Sequence, residues 1–183
     1  MAIVGSAGGI AAMVNILERL PADLDAAVIL VLHLTPQHRS HLASIFGRKT
    51  VLPVRSATDG DPLEPGVAYV APPDAHLLVD GEGRLRLEQS ELVHHVRPSA
   101  DALLLSIAKE HRGRCLAVVL SGTGIDGAAG AAAVHAAGGR VVAQDEATAE
   151  HFGMPGAAIL AGGVDEVLAL DDIGAAVVDF VAA

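Results

Sequence analysis

The chain has 183 residues, 51% of them hydrophobic, and carries 12 Lys and Arg against 22 Asp and Glu, for a formal charge of -10. That length suits one domain, spanning 1–183, able to bury about 70% of its unfolded surface without disulfides or metals. With no Lys/Arg run and with Phe46, Tyr69, Phe152 and Phe180 as its whole aromatic complement, it lacks the cations and stacking platforms that nucleic acid requires, so no nucleic-acid partner is expected.

The first segment, Ala2-Ile3-Val4-Gly5-Ser6-Ala7-Gly8-Gly9, reads as a strand ending in a glycine turn. After it, Ile10, Met13, Val14, Ile16, Leu17 and Leu20 recur at helical spacing. Because no basic residue precedes Arg19, this opening is a strand and helix and not a signal peptide. Ala26 to Leu32 is a continuous apolar run of the kind buried on both faces of a parallel sheet. His33 closes it, and Leu34-Thr35-Pro36 turns the chain into the next helix.

Residues 51–90 change character. Val67 to Val70, Leu77 to Val79 and Arg84 to Leu87 are short strands, the last two joined by Asp80-Gly81-Glu82-Gly83 as an antiparallel hairpin. Alternation then returns: a helix from about Ala100 to His111, a strand Leu116 to Leu120, an alanine-rich helix after Gly127, and a strand Arg140 to Ala143. A helix around Pro155 to Leu160, a strand Glu166 to Leu170 and a helix from Asp172 complete the chain. The pattern predicts an α/β fold, a three-layer α/β/α sandwich whose mostly parallel, doubly wound sheet carries an inserted antiparallel hairpin. Cys115 stands alone and needs no oxidising compartment, and no segment reaches ~18 uninterrupted apolar residues, so the expectation is a cytoplasmic protein without membrane insertion.

Three strands end in residues able to do chemistry. The Ser6 hydroxyl lies at a strand-to-helix turn beside N–H groups that could hold an oxyanion or a phosphate, although half of a G-x-S-x-G elbow is missing, because Val4 occupies its first glycine. A capping serine is the plainer reading. His33 could take the Ser6 proton or could be a core histidine. His38 and His41 lie nearby, but no carboxylate or Cys stands at ligand spacing, so no metal and no cofactor is expected.

Gly122-Thr123-Gly124-Ile125-Asp126-Gly127 formally matches the dinucleotide fingerprint G-x-G-x-x-G, with Asp145 and Glu146 about 20 residues on. Asp126 inside that loop would repel a pyrophosphate. If the loop holds no anion, the N-terminus of the helix that follows would keep Asp126 ionised to orient an imidazole. A nucleotide-binding module, or a catalytically idle one, stays open beside a serine hydrolase. In Arg97-Pro98-Ser99-Ala100-Asp101, Ser99 is a natural N-cap, and Arg97 either is structural or faces the site. His94 and His95 read as solvated.

Taken in order, Gly5-Ser6-Ala7-Gly8-Gly9, His33-Leu34-Thr35-Pro36, Tyr69-Val70-Ala71-Pro72-Pro73, Arg97 to Asp101, Gly122 to Gly130 and Phe152-Gly153-Met154-Pro155 resemble the catalytic domain of the CheB chemotaxis protein-glutamate methylesterases. The resemblance implies hydrolysis of γ-glutamyl methyl esters on methyl-accepting chemoreceptors to glutamate and methanol, and in some members deamidation of receptor glutamine. It implies Ser6 as nucleophile, His33 as base and Asp126 as its orienting acid, with Ala7, Thr123, Gly124 and Arg97 around the oxyanion and substrate. The implied partner is the cytoplasmic helical region of a chemoreceptor. Family members usually carry a receiver domain ahead of this one; Met1 here precedes the first strand directly, so a separate receiver-type regulator is the expected source of such control. Thr123 stands where the family has Met, and Val96 where it has His before Arg-Pro-Ser.

Overall fold

A computed structural model describes residues 1–33, 40–111 and 113–183. The turn at Leu34-Thr35-Pro36, and His38 with it, lie outside the described residues.

Seven strands form one sheet. In chain order they are β1 (Ala2–Gly5), β2 (Val28–Leu32), β3 (Val54–Ser56), β4 (Ala68–Val70), β7 (Leu116–Val119), β8 (Arg140–Gln144) and β9 (Glu166–Leu168). They lie side by side as β3-β4-β2-β1-β7-β8-β9, and every pairing is parallel. The hairpin β5 (His76–Val79) and β6 (Leu85–Glu88) pairs antiparallel as a separate two-stranded sheet. The fold is the expected three-layer α/β/α sandwich. β3 carries no sequence signal, since Val54-Arg55-Ser56 is short, sits on the sheet edge and is largely exposed.

The central strands are apolar throughout because each face meets a helical layer. Ile3, Val28, Leu30, Leu32, Leu116 and Val118 point into the layer of α1 (Gly9–Leu17), α2 (Leu42–Gly47) and α6 (Leu170–Ala182). Ala2, Val4, Ile29, Val31, Ala117 and Val119 point the other way, into α3 (Ala100–Glu110), α4 (Ala128–Ala136) and α5 (Gly153–Leu160), with the hairpin packed on α3. Successive strand residues alternate between the two cores, as a pleat of period two requires. Among the described residues no helix is long and apolar enough to cross a membrane.

Chain order reverses at β1: β2 lies on one side of it and β7 on the other. A crevice opens at the carboxyl ends of strands where the order switches, and open α/β folds place ligands there. Ser6 follows β1, His33 follows β2, and Asp126 lies in the loop after β7.

Candidate active site

Strand register brings Ser6 and His33 side by side. Gly5 pairs with Leu32, so the next residue of each strand is its neighbour across the same edge, and the His33 N–H donates to the Gly5 carbonyl at 3.4 Å. β7 supplies the other wall, where the Ser6 N–H donates to the Ser121 carbonyl at 2.9 Å. At Gly122 a Cβ would stand 2.3 Å from Met154 Sδ and 3.0 Å from Ser6 Cβ, so only glycine lets the Gly122 loop lie against Ser6. The turn after Ser6 has a similar need. Gly8 takes φ 77°, and a Cβ there would meet Ser121 Oγ at 2.6 Å.

Asp126 is the hub. It is 2% exposed and accepts four hydrogen bonds. Oδ1 takes the Ser99 hydroxyl at 2.7 Å and the Asp101 N–H at 2.9 Å, while Oδ2 takes the Ala100 N–H at 2.6 Å and His33 Nε2 at 2.7 Å. Burial, the largest single influence, pushes the Asp126 carboxyl upward. The bonds from His33, the Asp101 N–H, the Ser99 hydroxyl and the Ala100 N–H together outweigh it and hold the group below the usual carboxylate range. The helix N-terminus that keeps Asp126 ionised is therefore that of α3 and not, as the sequence suggests, that of α4, which follows it directly. Ser99 is the expected N-cap of α3, accepting from the Ala102 N–H at 3.3 Å, and it binds Asp126 as well.

The tautomer follows from this geometry. An ionised carboxylate only accepts, so Nε2 of His33 carries the proton in that bond and Nδ1 keeps the lone pair for a hydroxyl. The His33 side chain is 14% exposed, which keeps it at the surface of the crevice. The half-buried Ser6 hydroxyl makes no hydrogen bond among the described residues. His33 and Asp126 are thus a bonded pair, and Ser6 is their neighbour across the sheet edge. A hydrogen bond from serine to its base commonly closes only when substrate arrives.

The surrounding residues divide into two groups. Ser6 and Gly122 use their N–H groups internally, on the Ser121 and His151 carbonyls, and so are not oxyanion donors. The N–H groups of Ala7, Thr123 and Gly124 donate to nothing among the described residues, and these three residues border Ser6 and the exposed face of the Gly122 loop. The Arg97 guanidinium engages the Asp74 carboxylate and the Ser90 carbonyl and ties together two loops, the first of which follows the carboxyl end of β4. His94 is exposed, as expected, and also binds buried Asp101, a contact no spacing rule would announce.

Comparison with known proteins agrees with this architecture. The CheB methylesterase family model matches residues 1–177. A protein-glutamate methylesterase/protein-glutamine glutaminase of Myxococcus xanthus is 40% identical over 94% of this chain and 49% of its own length. One from Anaeromyxobacter dehalogenans is 44% identical over 94% of this chain and 51% of its own. The chain spans about half the length of the curated relatives it matches. The crystal structure of the Thermotoga maritima CheB methylesterase catalytic domain superposes with a TM-score of 0.93 at 34% identity, covering 97% of this chain and 96% of that one. The chain belongs to the CheB methylesterase family.

Proposed function

We propose that this member of the CheB methylesterase family is a serine hydrolase, that residues 1–183 act as one catalytic domain in the cytoplasm, and that its substrates are γ-glutamyl methyl esters on the helical region of methyl-accepting chemoreceptors. His33 Nδ1 removes the Ser6 proton, Ser6 Oγ attacks the ester carbonyl, and the N–H groups of Ala7, Thr123 and Gly124 receive the oxyanion. The imidazolium then gives its proton to the departing methanol, and water repeats the sequence to release glutamate. Replacing Met by Thr at position 123 leaves this chemistry in place, because the donor there belongs to the backbone. Forming the same acyl-enzyme from glutamine would expel ammonia in place of methanol, and its hydrolysis would release glutamate, which is the deamidation that the relatives' names describe.

One observation carries this reading: the 2.7 Å bond between His33 Nε2 and a buried, multiply bonded Asp126, formed one strand away from Ser6. A nucleotide-binding role for the Gly122 loop fits this arrangement less well, because it puts a buried negative charge where a pyrophosphate would need a positive end. An open apolar hollow beside the loop, lined by Gly124, Ile125, Phe152, Gly156 and Leu160, suits a large helical substrate with a small leaving group. The test is methanol release from methylated receptor fragments by wild type, Ser6→Ala and His33→Ala. Both variants should fall to background, and three equal rates would sink the triad.

A further inference from the structure

A second histidine–carboxylate pair stands behind the first. His94 Nε2 donates to Asp101 Oδ2 at 2.9 Å, with the Asp101 side chain 3% exposed and that of His94 38%. Both pairs converge on the start of α3. Asp101 holds Asp126 through its N–H, and its own Oδ1 accepts from the Gly130 N–H of α4 at 2.7 Å. A ring nitrogen of His94 and one carboxylate oxygen each of Asp101 and Asp126 lie within 4.8 Å of one another. Two ionised carboxylates that close in a buried place require compensation. His33 faces one of them, and His94 faces the other.

The backbone that delivers His94 is strained. Val93 and Val96 exchange N–H to carbonyl bonds of 3.2 and 3.0 Å, and between them His94 and His95 take φ 51° and 65°. Two successive positive φ values make the kind of tight turn that favours Asn-Gly, and histidine in both places is disfavoured. Strain of this kind persists where a side chain is wanted for another purpose. Here that side chain reaches the carboxylate behind the hub of the site.

We propose that His94 is a positioning residue for the His33–Asp126 pair: by donating to Asp101 it fixes the start of α3 and screens the Asp101 carboxylate from Asp126 and His33. The inference rests on the triad reading. Among the described residues, the titratable groups brought against His94 are Asp101 of α3 and Asp126 of the loop before α4, with His33 beyond Asp126. Arg97, on the same loop as His94, is turned to Asp74. Without His94, the uncompensated Asp101 charge adds to that of Asp126 and favours the protonated form of His33, so less neutral base is present at any given pH.

Two variants test this in the full chain. Glycine accepts φ 51° without strain, so His94→Gly removes the imidazole and spares the turn; His94→Gln retains a donor without the ring. The readout is the pH titration of the His33 ring by heteronuclear NMR, whose midpoint should rise in His94→Gly, with added imidazole reversing part of the change, and stay closer to wild type in His94→Gln. Methanol release by His94→Gly should show kcat down several-fold at acidic pH with KM within about twofold, its acid limb moving with the NMR midpoint. An unchanged His33 titration in His94→Gly overturns the inference, as does wild-type kcat at every pH. Ser6→Ala is measured alongside: if it matches wild type, the esterase reading fails, and the His33 titration still decides the role of His94.

Discussion

Replacing Asp126 with Asn removes one charge and one acceptor from a point where four donors converge. If the new carbonyl oxygen keeps the Ser99 hydroxyl and the Asp101 N–H, the amide nitrogen confronts the Ala100 N–H and His33 Nε2, which stand 2.6 and 2.7 Å from the present Oδ2. Donor then faces donor at Ala100, and an orphaned buried N–H costs about 1–3 kcal/mol. Losing the charge assistance on the remaining bonds adds about 1 kcal/mol, so the variant should be about 2–4 kcal/mol less stable by urea unfolding. The effect on turnover is separate and larger. The amide can satisfy His33 only by donating to Nε2, which moves the ring proton to Nδ1, the nitrogen that accepts from Ser6 in the proposed mechanism. A wrong tautomer of this kind lowers turnover by about 10⁴ in a serine protease triad, and methanol release by Asp126→Asn should fall about 10³- to 10⁴-fold, toward the floor set by Ser6→Ala. A variant that stays within tenfold of wild type and unfolds at the same urea concentration would refute both halves of the reasoning.

Three further outcomes follow from the same contacts. Gly122→Ala puts a methyl 2.3 Å from Met154 Sδ and 3.0 Å from Ser6 Cβ; it should cost about 1–3 kcal/mol in urea unfolding and reduce kcat more than tenfold, and wild-type kinetics would mean that the loop does not press on Ser6. Ser99→Ala removes a helix cap and one of the Asp126 bonds, and should cost about 1–2 kcal/mol with a several-fold loss in kcat, checked by thermal melting and methanol release. Because the Asp126 carboxyl is held below its ordinary range, its stabilising contribution is complete above the unfolded value of about 4 and is lost as pH falls through the lower folded value. The stability gap between wild type and Asp126→Asn should therefore be flat from about pH 5 to 8 and narrow below about pH 4; a gap that closes towards neutrality would contradict this.

The sequence carries the central architecture because the buried strands announce themselves. Ala26 to Leu32 and Leu116 to Leu120 are uninterrupted apolar runs, and only a parallel strand covered on both faces needs one. β3 stays silent for the converse reason: an exposed edge strand of three residues has no buried face to pattern it. The same division runs through the site. Ser6, His33 and Asp126 are legible because each ends a strand or begins a helix, positions where topology forces convergence. The partners of Asp126 are not, because Ser99 and Asp101 reach it across about 25 residues by tertiary packing of α3 on the Gly122 loop. Arg97 shows the limit most plainly: a cation beside a helix start could serve a site or a loop, and no spacing in the sequence points to its bonds with Asp74 and Ser90.

The glycines of the Gly122 loop imitate a dinucleotide fingerprint for a physical reason. Both arrangements need backbone to pass close to another chain segment at a strand's carboxyl end, and both exploit a helix N-terminus. They differ in which helix terminus is used and in which negative charge it receives. In a dinucleotide site it is the ligand's, delivered from solution; here it is Asp126, delivered by the chain itself and bound by α3 through the Ala100 and Asp101 N–H groups. An internal anion leaves the helix end occupied, so the remaining valence of the carboxylate turns outward to an imidazole. The three contacts from the start of α3 therefore hold the carboxylate that sets the tautomer of His33, and a change that loosens the start of α3 should lower methanol release.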